Sequence, residues 1–499
     1  MTPSRVADNM AKRWVSKWND SVDTAPVNHI EYLSINNSVK GGDLQWNLPP
    51  SKSHLIRLLA LSAQSNQVIT LKNVNNAGED SRSMRRCLQQ LGVKIEDMAN
   101  GEVLSKSGLA EVAFHPDSVD WRVHGVGSDG FSKPASVLHA GNSGTAFRIL
   151  TTISANIGQS VAIDGDRSLR LRDFSTLIGT LESSGVTVSR GHGEEALPLI
   201  VCGPIDCSQQ VDLDLSKSSQ PYSAWMLSSS RFSDNKKLNH KGQAVSRKHS
   251  DLTYRLCLES GADFSDETLR PWVPHFADTE VLVPRDASMV SFAMLATKVL
   301  QTKTIISGWP QSEDALGNDI LQQYCIELGF TWNETNSNVE ITLSNNSDDN
   351  GDDRDNSDIG DSRDDGENEI NLRDANDLLP PLAALMAISS GGRIIGAAHA
   401  AHKESNRLTK TRQLLVQFGI ESTVLQDGIE VAGGQKIKPP GDIVSTFGDH
   451  RLQMTAVILA CACSAKVAGP NLHKIADENL LLRLIEYGIN IEEKLFKSK

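Results

Sequence analysis

The strongest constraint on the fold of this 499-residue chain is a sixfold internal repeat. Each copy sets an apolar helix behind a polar turn and follows it, some residues later, with an amphipathic helix that closes on glycine. The closing pieces are RRCLQQLGV, LIGTLESSGV, YRLCLESGADF, LQQYCIELGF, RQLLVQFGI and LRLIEYGI. They carry apolar residues at helical spacing before Gly92, Gly185, Gly261, Gly329, Gly419 and Gly488. Glycine there suits a helix cap in the left-handed conformation. Short alternating runs such as VTVSR, ADFS and FTWNE follow most of them and predict strands.

The apolar partners are SKSHLIRLLALSA, SGTAFRILTTISA, SQPYSAWMLSSS, DASMVSFAMLATKVL, LPPLAALMAISSG and GDHRLQMTAVILACA. They are apolar around most of their circumference, which predicts burial on all sides. Six α/β units in a chain of this length predict an α/β fold of two domains with three units each, divided just before VPRDASMV. These repeats are longer than solenoid units and contain strands, which argues against a solenoid.

Charge has to be located before it is interpreted. The formal net charge is −13, but eleven acidic residues and two arginines between Asp348 and Glu369 concentrate −9, leaving −4 for the rest. The stretch SDDNGDDRDNSDIGDSRDDGENE has almost no apolar side chains to offset the entropy of folding. It predicts a disordered insertion over 344–369, between the strand-like NVEITLS and EINLR. Basic residues are dispersed, which argues against a nucleic-acid surface. No run approaches eighteen consecutive apolar residues, and the first thirty lack the apolar stretch of a signal peptide, so no membrane association and a cytoplasmic location are expected. The seven cysteines lie mostly in apolar segments and show no ligand spacing to one another or to histidine; reduced core thiols and no metal are the expectation.

The turns that open the six apolar helices read SKSHLIR, GNSGTAFR, SKSSQ, RDAS, ND and FGDHR. A helix start needs one Ser, Asp or Asn as its cap. These starts also carry Lys52, Arg57, Arg148, Lys217 and Arg451, cations where the helix dipole disfavours them. An anion seated between the turns resolves that conflict. One helix end contributes only about 0.3–1 kcal/mol, so a phosphate or carboxylate needs several turns and their cations together.

The segments LPPSKSHLIRLLALSA, GNSGTAFR, GDRSLRLRD, SKSSQPYSA, VSRKHSDL, HKESNRL and GDHRLQM occur in one order between Leu48 and Leu484. In this the chain resembles the 5-enolpyruvylshikimate-3-phosphate synthase family of enolpyruvyl transferases. The resemblance implies two domains, with the chain crossing between them twice, so that residues 50–283 form one and 1–49 with 284–499 the other. It implies transfer of the enolpyruvyl group of phosphoenolpyruvate to the 5-hydroxyl of shikimate 3-phosphate with release of phosphate, a step of the shikimate pathway towards aromatic amino acids. No metal or organic cofactor is implied, and a monomer is expected.

By the same resemblance Lys52 contacts phosphoenolpyruvate, while Ser53 and Arg57 hold the shikimate portion. Asn142 and Gly144 line the phosphoenolpyruvate site, and Arg172 binds its phosphate. Ser218, Ser219 and Ser246 hold the shikimate phosphate, and Gln220 reaches both substrates. Asp377 matches the catalytic aspartate. In KESNRL, Lys403 binds the acceptor, Glu404 handles protons and Arg407 holds the phosphoenolpyruvate carboxylate. His450, Arg451 and Lys474 complete the set, with His450 and Lys52 as alternative proton donors to Glu404.

The chemistry asks for these residue types. The two substrates bring about four to five negative charges, which only a cluster of Arg and Lys can meet. Addition must protonate the methylene carbon while a base takes the hydroxyl proton, and elimination reverses both; two carboxylates in unlike surroundings can divide those tasks. The chain departs from the family pattern at Arg285, Ala401, Asn406, His249 and in the IAD that follows Lys474. An enolpyruvyl transferase for UDP-N-acetylglucosamine would carry asparagine where Ser53 stands, and a reactive loop cysteine. An enolpyruvyl transferase for another hydroxyl acceptor and a non-catalytic binding protein on the same fold are the alternatives.

Overall fold

The computed structural model describes residues 29–497 apart from 38–40, 105–113, 116, 192–194, 206–209, 217, 243, 336–337 and 345–367. Lys217 and nearly all of the acidic insertion lie outside the described residues. The flanks of the insertion form strands Asn338–Leu343 and Glu369–Asn371.

The six apolar segments form helices α1 (Lys52–Gln64), α2 (Gly144–Ser154), α3 (Gln220–Ser228), α4 (Val290–Leu300), α5 (Leu379–Ala387) and α6 (His450–Cys463). All of α5 is buried, and the other five bury most of their residues. Each buried Leu, Ile or Phe contributes about 1.5–3 kcal/mol, so these rods form the centres of their lobes. The amphipathic closers are Glu79–Gln90, Ser175–Ser183, Arg247–Glu259, Ile320–Gln323, Arg407–Gln417 and Leu480–Tyr487. Every closing glycine has positive φ, from 69° at Gly419 to 117° at Gly488, as the cap argument requires.

Six small sheets accompany the six helices. In five of them a parallel strand pair flanks the buried helix and an antiparallel partner extends the sheet, while in the sixth His29–Asn36 pairs antiparallel with both Ala465–Ala468 and Asn490–Lys497. Leu138–His139 runs parallel to Val161–Asp164, Gln210–Asp214 to Lys236–Lys241, and Glu369–Asn371 to Gly391–Ile395. Two units exchange their leading strands. Leu44–Asn47 precedes α1 in the chain but pairs in parallel with Thr304–Ser307, beside α4. Glu280–Leu282 precedes α4 but pairs with Val68–Lys72, beside α1. The chain therefore crosses between lobes twice, and the crossings run side by side: Ser51 N–H donates to the Pro284 carbonyl and Asp286 N–H to that of Pro49, both at 2.8 Å.

Two hydrophobic cores result. One gathers buried residues from Leu55 to Val283, the other Leu33 to Leu48 with Met289 to Ile489. The six described cysteines are unpaired, and burial pushes the Cys87 thiol up to about 12, as befits an inert core thiol. Among the described residues no helix is long and apolar enough to cross a membrane.

Candidate active site

All six buried helices direct their N-termini to the space between the lobes. A cleft there, with about 1220 Å³ of empty space including the solvent at its mouth, is lined by Lys52, Ser53, Gly144, Gln220, Asp377 and His450 among others. A smaller one adjoins it and adds Asp286, Ser288 and Arg451, so the tip of α4 takes part as well. Six cations and four carboxylates line the larger cavity, which leaves it a surplus of positive charge.

The first lobe supplies two buried cations, Arg57 and Arg148, that no carboxylate holds. Arg57, one turn into α1, donates to Thr253 Oγ1 at 2.6 Å and to the carbonyls of Ser53 at 2.9 Å and His249 at 3.0 Å. Burial pulls its guanidinium down to about 10. Arg148 donates to Gln220 Oε1 at 2.6 Å and to the carbonyls of Gly144 at 3.0 Å and Asp173 at 3.1 Å, and stacks 4.5 Å over the Phe174 ring. Burial and the nearby Arg172 bring it down to about 9. Gly144 permits this crowding, because a Cβ there would stand 2.9 Å from both Arg148 and Arg172. Ser143, not Asn142, caps α2, accepting from Ala146 N–H at 3.2 Å. Asn142 instead accepts from Arg172 at 2.8 Å and donates to Asp166 at 3.0 Å, outside the cavity lining.

Lys52 lies 3.0 Å from Asp80. Burial draws its ammonium down, but Asp80, with Asp377 and Glu404 beyond, more than compensates and leaves it above the ordinary lysine range. At the tip of α3, Ser219 Oγ donates to the Ser246 carbonyl at 3.1 Å and Gln220 N–H to Ser218 Oγ at 3.2 Å. Ser246, at φ 52°, accepts at its hydroxyl from Asn376 of the other lobe at 3.0 Å and lies 3.3 Å from His399.

The second lobe presents cations already engaged. Arg407 donates to Asp449 at 2.9 Å, to Asp377 at 2.6 Å and to Glu404. Despite burial, those three carboxylates hold its guanidinium above the ordinary arginine range. Arg451 donates to Ser288 Oγ at 3.0 Å and Asp377 at 3.3 Å, and Lys403 lies 3.8 Å from Asp377. Burial alone would raise both carboxyls. Lys403, Arg451 and Arg407 instead keep Asp377 well below the carboxylate range, and Arg407 and Arg172 do the same for Glu404. His450 is fully buried, neither ring nitrogen has a hydrogen-bond partner, and burial keeps it neutral. Arg172 joins the lobes through Glu404, 3.3 Å away. Glu404, Asp449 and His450 are the one group among the described residues arranged as metal ligands, but Arg407 already bridges both carboxylates.

The structure thus gathers the expected site residues with two exceptions. Asn142 acts one step back, through Arg172. Lys474 is exposed and lines neither cavity: it sits in the turn Leu472–Ile475, whose buried member is His473. Two of the departures from the family pattern have local explanations. Asn406 caps the helix Arg407–Gln417, accepting from Thr409 N–H. Arg285 braces a crossing strand, donating to the Asn73 carbonyl and to Asn75 Oδ1, both at 3.2 Å. Sequence reasoning left out Asp80 and His399, which also line the cavity. An aspartate in a first turn looks like an ordinary dipole partner, and the histidine stood in an alanine-rich stretch with no spacing signal.

Two lobes of three repeats, with helix tips converging on a cationic cleft, define the enolpyruvyl transferase class. Residues 40–476 match the family described as EPSP synthase (3-phosphoshikimate 1-carboxyvinyltransferase), and the chain belongs to that family. It is 28% identical over 423 residues to the 3-phosphoshikimate 1-carboxyvinyltransferase of Korarchaeum cryptofilum, covering 83% of this chain and 88% of the relative. It is 25% identical over 458 residues to the enzyme of that name from Methanothermobacter thermautotrophicus, covering 90% and 97%. Among solved structures it superposes on EPSP synthase from Acinetobacter baumannii with TM-score 0.66 at 20% identity, over 93% of this chain and 100% of that one. The enolpyruvyl transferase NikO from Streptomyces tendae gives 0.61 at 13% identity, over 94% and 99%. At those identities the two structural likenesses speak for the fold.

Proposed function

We infer that this enzyme transfers the enolpyruvyl group of phosphoenolpyruvate to the 5-hydroxyl of shikimate 3-phosphate and releases phosphate. Family membership supports the reaction, and one observation carries the assignment of residues. Lys52, Arg57, Arg172, Lys403 and Arg407 converge with Asp377 and Glu404 on a single cavity between the lobes. Such a surplus of charge fits two polyanions drawn out of water together.

In this reading Arg57, Ser53, Ser218, Ser219 and Ser246 receive the acceptor and its phosphate, with Gln220 between the substrates and Lys403 on the acceptor hydroxyl. Lys52, Gly144, Arg172, Arg407 and Arg451 receive phosphoenolpyruvate. Asp377, held ionised, takes the hydroxyl proton as the oxygen bonds to C2 of phosphoenolpyruvate. C3 must gain a proton at that moment and lose it again as the C2–O bond to phosphate breaks, so one group can serve both steps. Glu404 is that group once the bound anions neutralise Arg172 and Arg407 and release its carboxyl from their hold. His450, kept neutral, is the weaker alternative donor, and Lys52, kept charged, the stronger. A cytoplasmic location and a monomeric state belong to the same proposal.

The test is phosphate release on mixing the protein with phosphoenolpyruvate and a panel of cyclic alcohols that includes shikimate 3-phosphate. Release with shikimate 3-phosphate and not with its relatives is expected. Release that needs a different alcohol would support a diverged acceptor, and none with any acceptor a binding protein.

A further inference from the structure

The segment Gln311–Gly317 belongs by sequence to the second lobe, between strand Thr304–Ser307 and helix Ile320–Gln323. Three of its side chains, those of Glu313, Asp314 and Leu316, reach across to the first, while Ser312 donates to Asp319 of its own lobe. Leu316, 6% exposed, packs with the core that runs from Leu55 to Val283 and not with the core of its own lobe. It does so at φ 53°, a left-handed conformation that a branched side chain adopts only when its surroundings hold it there. Two residues earlier, Asp314 Oδ1 lies 3.0 Å from Nε2 of His54 and also accepts from Arg255, both first-lobe residues. Glu313 adds a 3.8 Å contact to the same arginine.

This contact reaches the active site by a short path. His54 is 2% exposed, and its other ring nitrogen lies 2.8 Å from the hydroxyl of Ser51. Ser51 is the N-cap residue of α1, yet its side chain accepts no helix N–H; it is turned to His54 instead. Ser51 and His54 therefore bracket Lys52 and Ser53, the residues that the tip of α1 presents to the cavity. Leu316 and Asn318 line the smaller cavity together with Lys52, Ser53 and Arg451.

We propose that Gln311–Gly317 is a latch that holds the lobes together, and that Asp314 is a positioning residue which sets the Lys52–Ser53 turn through His54. The latch is anchored by an apolar peg, Leu316, and locked by a charged contact, Asp314. Both must part for the lobes to open. Because it favours the closed form before any substrate arrives, it raises the fraction of molecules competent to bind, and apparent affinity scales with that fraction.

The experiment compares the parent with Asp314→Ala by small-angle X-ray scattering without ligands, then by steady-state kinetics. The variant is expected to show a larger radius of gyration that returns to the parent value with saturating phosphoenolpyruvate and shikimate 3-phosphate. Its KM for phosphoenolpyruvate should rise roughly tenfold while kcat stays within about threefold. Asp314→Glu should recover part of the loss, and Arg255→Ala combined with Asp314→Ala should cost less than the two singly. If Asp314→Ala does not fold, Leu316→Gly replaces it, since glycine tolerates φ 53° and removes only the peg. Ligand-free scattering identical to that of the parent overturns the proposal, as does a fall confined to kcat. The kinetic half rests on the reaction proposed above. The scattering half uses no substrate, so a failure of that reading leaves the latch testable by itself.

Discussion

The two lobes contribute the same helical framework to the cleft but set their buried arginines in opposite surroundings. In the first, Arg57 and Arg148 are buried against hydroxyls, carbonyls and an amide, with no carboxylate among their hydrogen-bond partners, and sit at about 10 and 9. In the second, Arg407 is shared by Asp377, Glu404 and Asp449, and its charge is secured from within. A buried cation held only by neutral dipoles is a receptor awaiting an anion. A cation locked among carboxylates instead sets the protonation of those carboxylates. The first lobe thus holds two arginines open to an anion, and the second ties its central arginine to the carboxylates on which the proposed proton transfers rest.

The largest effect that can break this comparison is on turnover. Asp377→Asn and Glu404→Gln are each expected to slow phosphate release by about 10²–10⁴-fold, the usual value of a positioned acid or base. Rates within tenfold of the parent would remove the second lobe from the chemistry.

The next effect is on stability and has opposite expectations in the two lobes. Arg407→Met leaves three carboxylates around an uncompensated space and should cost about 3–5 kcal/mol in denaturant unfolding. Arg148→Met relieves a buried charge while losing neutral hydrogen bonds, and the two should nearly cancel, within about 1.5 kcal/mol. Equal losses would mean that the lobes do not differ as described.

A smaller effect concerns acid. Burial holds His399, 7% exposed, at about 4 against an ordinary 6.5. Between those values the unfolded chain binds the proton and the folded one does not, so its contribution is complete above pH 6.5 and declines as pH falls towards 4. At pH 5 the loss is about 2 kcal/mol, and His399→Gln should abolish that part of the acid slope in pH-dependent unfolding. An unchanged slope would show the imidazole to be charged in the fold.

The framework was legible in the sequence because burial and periodicity repeat: six apolar helices, six glycine stops, and strands at VTVSR and FTWNE; ADFS, too short to pair, instead runs into the turn Ser265–Glu267. The charged turns were legible because Lys52, Arg57, Arg148 and Arg451 recur where a helix dipole disfavours them. Partnership was not. Nothing in the spacing of Arg148 and Arg407 says that one meets an amide and the other three carboxylates, since those contacts join segments far apart in the chain. The exchange of leading strands between the units of α1 and α4 is equally silent, because parallel pairing leaves no local mark. Lys474 illustrates the converse: a matching motif position whose side chain the local turn leaves in solvent.

The most direct measurement is calorimetric titration of shikimate 3-phosphate into the parent, the double variant Asp377→Asn with Glu404→Gln, and Arg57→Met. Binding of the double variant should stay within about threefold of the parent while its turnover is lost, and Arg57→Met should weaken binding by about 30-fold or more. Tight binding by Arg57→Met together with failure of the carboxylate variant to bind would contradict the division of labour between the lobes.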